Sequence, residues 1–222
     1  MPKPDTTFQR ARRPEQKQQR HEAILAAAHA AALEAGVRSV SLNDIAERIG
    51  IHKSALLRYF ETREQIFLEL TARSWREWAA SVTETLHAAG TSNPAVVAEI
   101  LAASFASRPL LCDLIPHTAL SLERNVSVEA VRRYKYTSLD AVQAVSASVG
   151  RALPGLTSGE CRELISTLAT LAGGLWQIAN PPLRLAELYA EDPALAHARV
   201  DVEPRLRRTA EVMLAGFDAT RD

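Results

Sequence analysis

The stretch SLNDIAERIGIHKSALLRYF, residues 41–60, reads as two short helical segments separated by a single glycine. Ser41 is a good N-cap, and Asp44 three residues on favours the same helix end electrostatically. The segment LNDIAERI then runs to Gly50, a residue suited to stopping a helix. A second segment follows over about 52–59 and closes on Phe60. Ala46, Gly50 and Ile51 have the spacing of a helix-turn-helix: a small residue lets two helices approach, a glycine makes the turn, and an apolar residue anchors it. Ile45, Ile49, Leu56 and Phe60 would form the small core beneath. The other face of the second helix offers His52, Lys53, Ser54, Leu57, Arg58 and Tyr59, side chains of the kind that reach base edges and phosphates from a major groove. A solvated helix surface is the plainer reading of the same residues. Thr62 and Gln65 form a capping-box pattern opening a long helix to about Ala89. Its first turn, with Arg63, offers amides and a cation to a phosphate.

Around this core the chain reads as helical throughout, since no sustained period-two alternation appears and Ala, Leu, Glu and Arg dominate. Upstream, residues 1–15 read as a flexible basic arm with Arg10, Arg12 and Arg13, and an alanine-rich helix spans about 16–35 before Gly36. Downstream, Asn93-Pro94 opens a fifth helix and Arg108-Pro109 ends it and starts a sixth. Ser127 opens a seventh, whose apolar face is expected to be Val128, Val131, Leu139, Val142, Val145 and Val149. Thr157 with Glu160 caps an eighth helix to about Ala179. Pro181-Pro182 breaks the chain, a short helix occupies 183–190, and a last one runs over about 204–218. The expected domains are therefore the arm at 1–15, a helix-turn-helix head at 16–62 and a helical body at 63–222.

The 222 residues suffice for one substantial core, and 47% hydrophobic with 23% charged residues is ordinary for a folded globular chain. No apolar run approaches the ~18–20 residues of a membrane span, and the N-terminus has no apolar signal region, so a cytoplasmic protein without membrane contact is expected. Cys112 and Cys161 are far apart and lack metal-ligand spacing, which fits reduced thiols. The net charge of zero hides an asymmetry: residues 1–60 carry ten Lys and Arg against six Asp and Glu, and the remainder carries sixteen against twenty. A basic head on an acidic body suits a protein that meets nucleic acid at one end.

Residues 24–67 resemble the N-terminal domain of the tetracycline-repressor (TetR) family of bacterial regulators, through ILAAA at 24–28, Gly36, the stretch at 41–60 and ETREQIF at 61–67. The resemblance implies an all-α homodimeric transcription factor, most often a repressor, with a three-helix DNA-binding head on a larger body for ligand binding and dimerisation. It implies a double-stranded DNA operator, a second copy of the chain and a small-molecule effector as partners, with no cofactor and no metal. The DNA-contacting set would be Ser41, His52, Lys53, Ser54, Leu57, Arg58, Tyr59 and Arg63. Three places depart from the family pattern. Ala31-Ala32 stands where a bulky pair is usual, leaving Leu33 to fill space; Leu57 replaces a phosphate-contacting tyrosine; His52 replaces a serine.

In the body, the eighth and last helices correspond to the family's dimer interface, with Leu168, Leu171, Gly173, Gly174, Leu175, Leu206, Met213 and Phe217 as candidates. A ligand pocket among helices four to eight would draw on Trp78, Phe105, Cys112, His117, Asn125, Tyr134 and Trp176, each of which is also an ordinary core residue. Two other readings compete. An all-helical enzyme lacks support, because no nucleophile elbow, metal motif or phosphate loop occurs. A helical small-molecule-binding or interaction protein with weakened DNA binding is kept open by Leu57 and the Ala31-Ala32 pair, and an activator by the same head.

Overall fold

The computed structural model describes the backbone of residues 7–198 and 200–220 and the side chains of 15–197 and 200–220. Its described residues form ten α-helices and no strand. The head comprises α1 (Thr7–Ala35), a 3-10 turn (Val37–Ser39), α2 (Leu42–Arg48) and α3 (Lys53–Leu56). Helix α1 thus begins well ahead of the expected start at 16. The side chains of Arg10, Arg12 and Arg13 lie outside the described residues.

Apolar side chains from three directions close the head. Ile24 and Ala28 of α1, Ile45 of α2 and Leu56 of α3 are fully buried, with Phe60 beneath them. His21 stacks on the Phe60 ring at 4.6 Å, and its Nε2 lies 3.4 Å from Glu69. Ala31 and Ala32 are buried directly, whereas Leu33 is exposed, so the expected filling by Leu33 does not occur. Two methyl groups instead let α1 approach its neighbours closely. Ile49 is only partly buried.

Helix α4 (Arg63–Ala89) runs from the head into the body and ends at Gly90, whose φ of 52° supplies the left-handed stop. The body continues with α5 (Pro94–Ala106), α6 (Pro109–Leu120), a 3-10 turn (Leu122–Asn125), α7 (Val128–Ala152), α8 (Ser158–Ala179), α9 (Leu183–Glu191), a further 3-10 segment (Pro193–Ala198) and α10 (Val202–Ala219). Helix α4 packs along α7, α6 and α7 along α8, and α10 into the angle of α5 and α8. Helix α6 also touches α1 and the 3-10 turn of the head. No single described helix is long and apolar enough to cross a membrane.

Two further details differ from the sequence expectation. The buried face of α7 is Ala130, Tyr134, Ala141, Val145, Ser146, Ser148 and Val149, while Val128 and Leu139 are exposed. Packing against α4 and α8 together selects a face with small residues rather than the most apolar one. At the start of α4, Thr62 accepts from the Gln65 N–H at 3.1 Å, but the Gln65 carboxamide accepts from Glu61 N–H at 2.6 Å. The cap therefore reaches one residue further back than a reciprocal box.

Candidate nucleic-acid interface

The two-helix unit is set by local hydrogen bonds. Ser41 Oγ accepts from Asp44 N–H at 3.3 Å, and the Asp44 carboxylate accepts from Ser41 N–H at 2.7 Å, a complete capping box. Hydrogen bonds from the Ser41 N–H and the Ser41 hydroxyl hold the Asp44 carboxyl below its ordinary range. Helix α2 stops because Gly50 takes φ of 65°; a Cβ there would meet no atom within 4 Å, so the backbone conformation and not space requires glycine. Ile51 N–H then donates to Ala46 O at 3.0 Å, closing the turn over the buried Ala46 methyl.

Helix α3 is shorter than the expected 52–59. After one regular turn, Arg58 N–H donates to Ala55 O and Tyr59 N–H to Leu56 O, so the chain tightens into 3-10 geometry before Phe60. His52 occupies the N-cap position, but its side chain caps nothing. His52, Lys53, Ser54, Leu57 and Arg58 are all exposed on one side, while Leu56 and Phe60 are buried on the other. Tyr59, half-buried, forms one wall of an open cleft completed by Gln16, Lys17, Gln19, Arg20 and Ala23 of α1. Among the described residues, Lys17, Arg20, Lys53 and Arg58 take part in no ion pair. Arg48, one helix away, is paired with Glu34. Lys17 and Arg20 escaped the sequence reading; their i, i+3 spacing on α1 was the available signal.

Arg63 corrects the expectation of a free cation at the start of α4. Its Nε donates to Val40 O and its Nη2 to Val37 O, while Nη1 contacts Glu64 at 3.3 Å. The guanidinium also lies 4.6 Å from the centre of the Phe67 ring. Arg63 therefore fastens the turn before α2 onto α4 and has no fork left for a phosphate. The Thr62 hydroxyl is likewise occupied, donating to Asn125 O at 3.1 Å.

The comparisons with known proteins bear on both parts of the chain. Residues 24–70 match the family described as bacterial regulatory proteins, tetR family, and residues 72–221 match the tetracyclin repressor-like C-terminal domain. This chain belongs to the TetR family of transcriptional regulators. A crystal structure of a chain assigned to that family from Mesorhizobium loti shares the fold, with a TM-score of 0.56 and 18% identity over 91% of this chain and 96% of the other. No curated protein gives a significant match. The TetR-family chain is thus a non-enzymatic regulator with a DNA-binding helix-turn-helix.

The residues expected to line one ligand pocket in this TetR-family regulator are not brought together. Trp78, Phe105 and Cys112 are fully buried core. Trp78 stacks on Phe105 at 4.7 Å and donates from Nε1 to Ser104 Oγ at 2.9 Å. Cys112 Sγ–H points at Phe105 O, and burial pushes its thiol up to about 12. Tyr134 lies in a cleft of about 220 Å³ between α4 and α7, beside Gln65, Glu69, Arg76, Arg133 and Thr137. His117 and Trp176 instead line a crevice of about 490 Å³ shared by the head, α6 and the end of α8. Asn125 is exposed and its side chain donates to Ser121 O.

The dimer candidates of the regulator divide as well. Leu168, Leu175 and Leu206 are buried within the single chain. Gly173 is the contact point of α8 with α6: a Cβ there would sit 2.9 Å from Pro116 Cδ and 3.1 Å from Ile115 Cγ2. These four serve the subunit core. Gly174 is exposed with nothing within 4 Å of a Cβ, and Leu171 of α8 and Met213 and Phe217 of α10 are half-covered. Among the described residues no group of three His, Cys, Asp or Glu side chains is placed to hold a metal ion.

Proposed function

We propose that this regulator binds a palindromic operator as a homodimer, acts as a repressor and is released by a small-molecule effector. The observation that carries the DNA part is the contrast between the two sides of residues 52–60. Leu56 and Phe60 are locked in the core, and the opposite side presents exposed polar groups and unpaired cations. In the groove, Lys53 and Arg58 meet phosphates or guanine edges, His52 and Ser54 meet base edges, and Leu57 offers an apolar contact to a thymine methyl. Tyr59 with Lys17 and Arg20 surrounds one phosphate, and the Ser41 hydroxyl reaches another by turning away from the Asp44 carboxylate.

One short reading helix covers too few base pairs for selectivity, which is the physical case for a two-fold dimer. Exposed Ile178 and Val212, with Gly174, Leu171, Met213 and Phe217, support α8 and α10 as the self-association face. For the effector, the filled core leaves the clefts, and the one beside Tyr134 borders α4, the helix that bears the head. A ligand there acts by favouring a form whose heads are wrongly spaced; moving occupancy from 99:1 to 1:99 takes about 10⁴-fold preference. The test is a mobility shift on inverted repeats with Lys53→Ala and Tyr59→Ala. The account expects sequence-selective binding that falls steeply with salt and is lost in the double variant. Unselective binding, unchanged by both substitutions, would overturn it.

A further inference from the structure

Where the head meets the body, the body grips one small backbone segment, Val37–Val40, with two charged side chains. From α4, Arg63 donates to the carbonyls of Val37 and Val40. From α6, Asp113 accepts the Val37 N–H on Oδ2 at 2.7 Å. The same carboxylate accepts from Gln177 Nε2 of α8 on Oδ1 at 2.8 Å, with His117 Nε2 at 3.6 Å. Gly36 takes φ of 79° immediately before the gripped residue, and its Cβ position would lie 3.8 Å from Asp113 Oδ2. One carboxylate therefore spans from the head to α8.

We propose that Asp113 is a positioning residue that fixes the angle of the reading head relative to α8, and through α8 relative to the second copy of the chain. The consequence for DNA rests on the operator-binding reading above. Among the described residues few other polar ties cross this junction: Thr62 to Asn125 O joins the turn before α4 to the 3-10 turn Leu122–Asn125, and His21 to Glu69 and Arg73 to Glu22 join α1 to α4. None of them touches α8. Asp113 alone among these ties refers the head to the helix on the proposed two-fold interface. A head released from that reference still presents the same side chains to a half-site, but the two heads no longer hold one separation.

This separates positioning from simple stability or contact loss. An intact dimer discriminates between inverted repeats differing by one base pair in half-site spacing, losing roughly tenfold or more as for a mismatch. In Asp113→Ala that discrimination falls to within about threefold, while the salt dependence on the best site, which counts phosphates, is retained. Lys53→Ala is the control, lowering affinity for every spacing together. A second measurement does not depend on DNA. Spin labels on Asn43→Cys of the head and Gln143→Cys of the body, in labelled protomers diluted with unlabelled protein, report the head–body distance in the full chain. The distribution is narrow in the parent and broad in Asp113→Ala. If Asp113→Ala fails to fold, Gln177→Ala, which keeps the Val37 bond and frees the α8 link, shows the broadening. An unchanged distribution in the folded variants, or an unchanged spacing profile, overturns the proposal. Failure of the parent protein to select any inverted repeat would overturn the operator reading and leave the distance measurement to decide the role of Asp113.

Discussion

Gly173 and Gly174 are neighbours on one helix, yet replacing each with alanine is expected to change stability in opposite directions. Both substitutions gain helix propensity, about 0.5–1 kcal/mol for Gly to Ala in a helix interior. At Gly174 nothing lies within 4 Å of the new methyl, so that gain stands. At Gly173 the methyl would sit 2.9 Å from Pro116 Cδ, 3.1 Å from Ile115 Cγ2 and 3.3 Å from Ile115 Cβ. Carbon atoms in contact prefer about 3.5–4.0 Å, so the overlap is roughly half an ångström or more. Neither neighbour can swing away, since Pro116 is a ring within α6 and Ile115 is β-branched. Helix α6 must therefore move, and overpacking of this kind costs about 1–3 kcal/mol. The net expectation is a loss of about 1–2 kcal/mol for Gly173→Ala, or roughly 2–8 °C in Tm for a chain of this size. Gly174→Ala is expected to raise the subunit's stability by a few tenths to about 1 kcal/mol. Urea unfolding at several protein concentrations is the assay, because self-association adds a concentration-dependent part. Equal effects at both positions, or a Gly173→Ala protein as stable as the parent, would refute the placement of Gly173 against α6.

Other outcomes follow from the site. Lys53→Ala should lower operator affinity and, if Lys53 sits on a phosphate, reduce the salt slope by about one, read by anisotropy titration over salt. Arg63→Met should destabilise the head by about 1–3 kcal/mol by stranding the Val37 and Val40 carbonyls, read by hydrogen exchange in α2; unchanged exchange with weakened DNA binding would return Arg63 to a phosphate. For Asp113, burial pushes the carboxyl up, but the bonds from His117, Val37 N–H and Gln177 outweigh it and leave its pKa below the ordinary 3.8. A lowered folded-state value means the contribution is complete above 3.8 and fades as pH falls through the lower folded value. The urea midpoints of the parent and Asp113→Asn should therefore converge only at pH below about 4. Cys112, with its thiol near 12, should resist alkylation at pH 8 in the folded protein and react once unfolded, by mass spectrometry.

The head was largely legible because its determinants are local. Ser41, Gly50 and Thr62 act on backbone within three or four residues of themselves, and caps and left-handed turns follow from residue type. What the sequence missed depends on partners far along the chain. Arg63 reads as a free cation until Val37 and Val40, more than twenty residues away, place their carbonyls beside it. Gly173 and Gly174 are indistinguishable in composition, and only the approach of Pro116 separates core from surface. Trp78, Phe105 and Tyr134 share a helical-core signature, and which of them borders a cleft is decided by how α4, α5 and α7 meet. Asp113 carried no motif at all. Its role arises from three donors brought in by α6, α8 and the turn after α1.

The most direct test of the central claim is selection of bound duplexes from a random pool by the purified full chain, followed by sequencing. The account predicts enrichment of an inverted repeat with two equivalent half-sites at one spacing, lost in the Lys53→Ala, Tyr59→Ala double variant. Recovery of no preferred sequence, or of a single unpaired half-site that the double variant selects equally well, would contradict it.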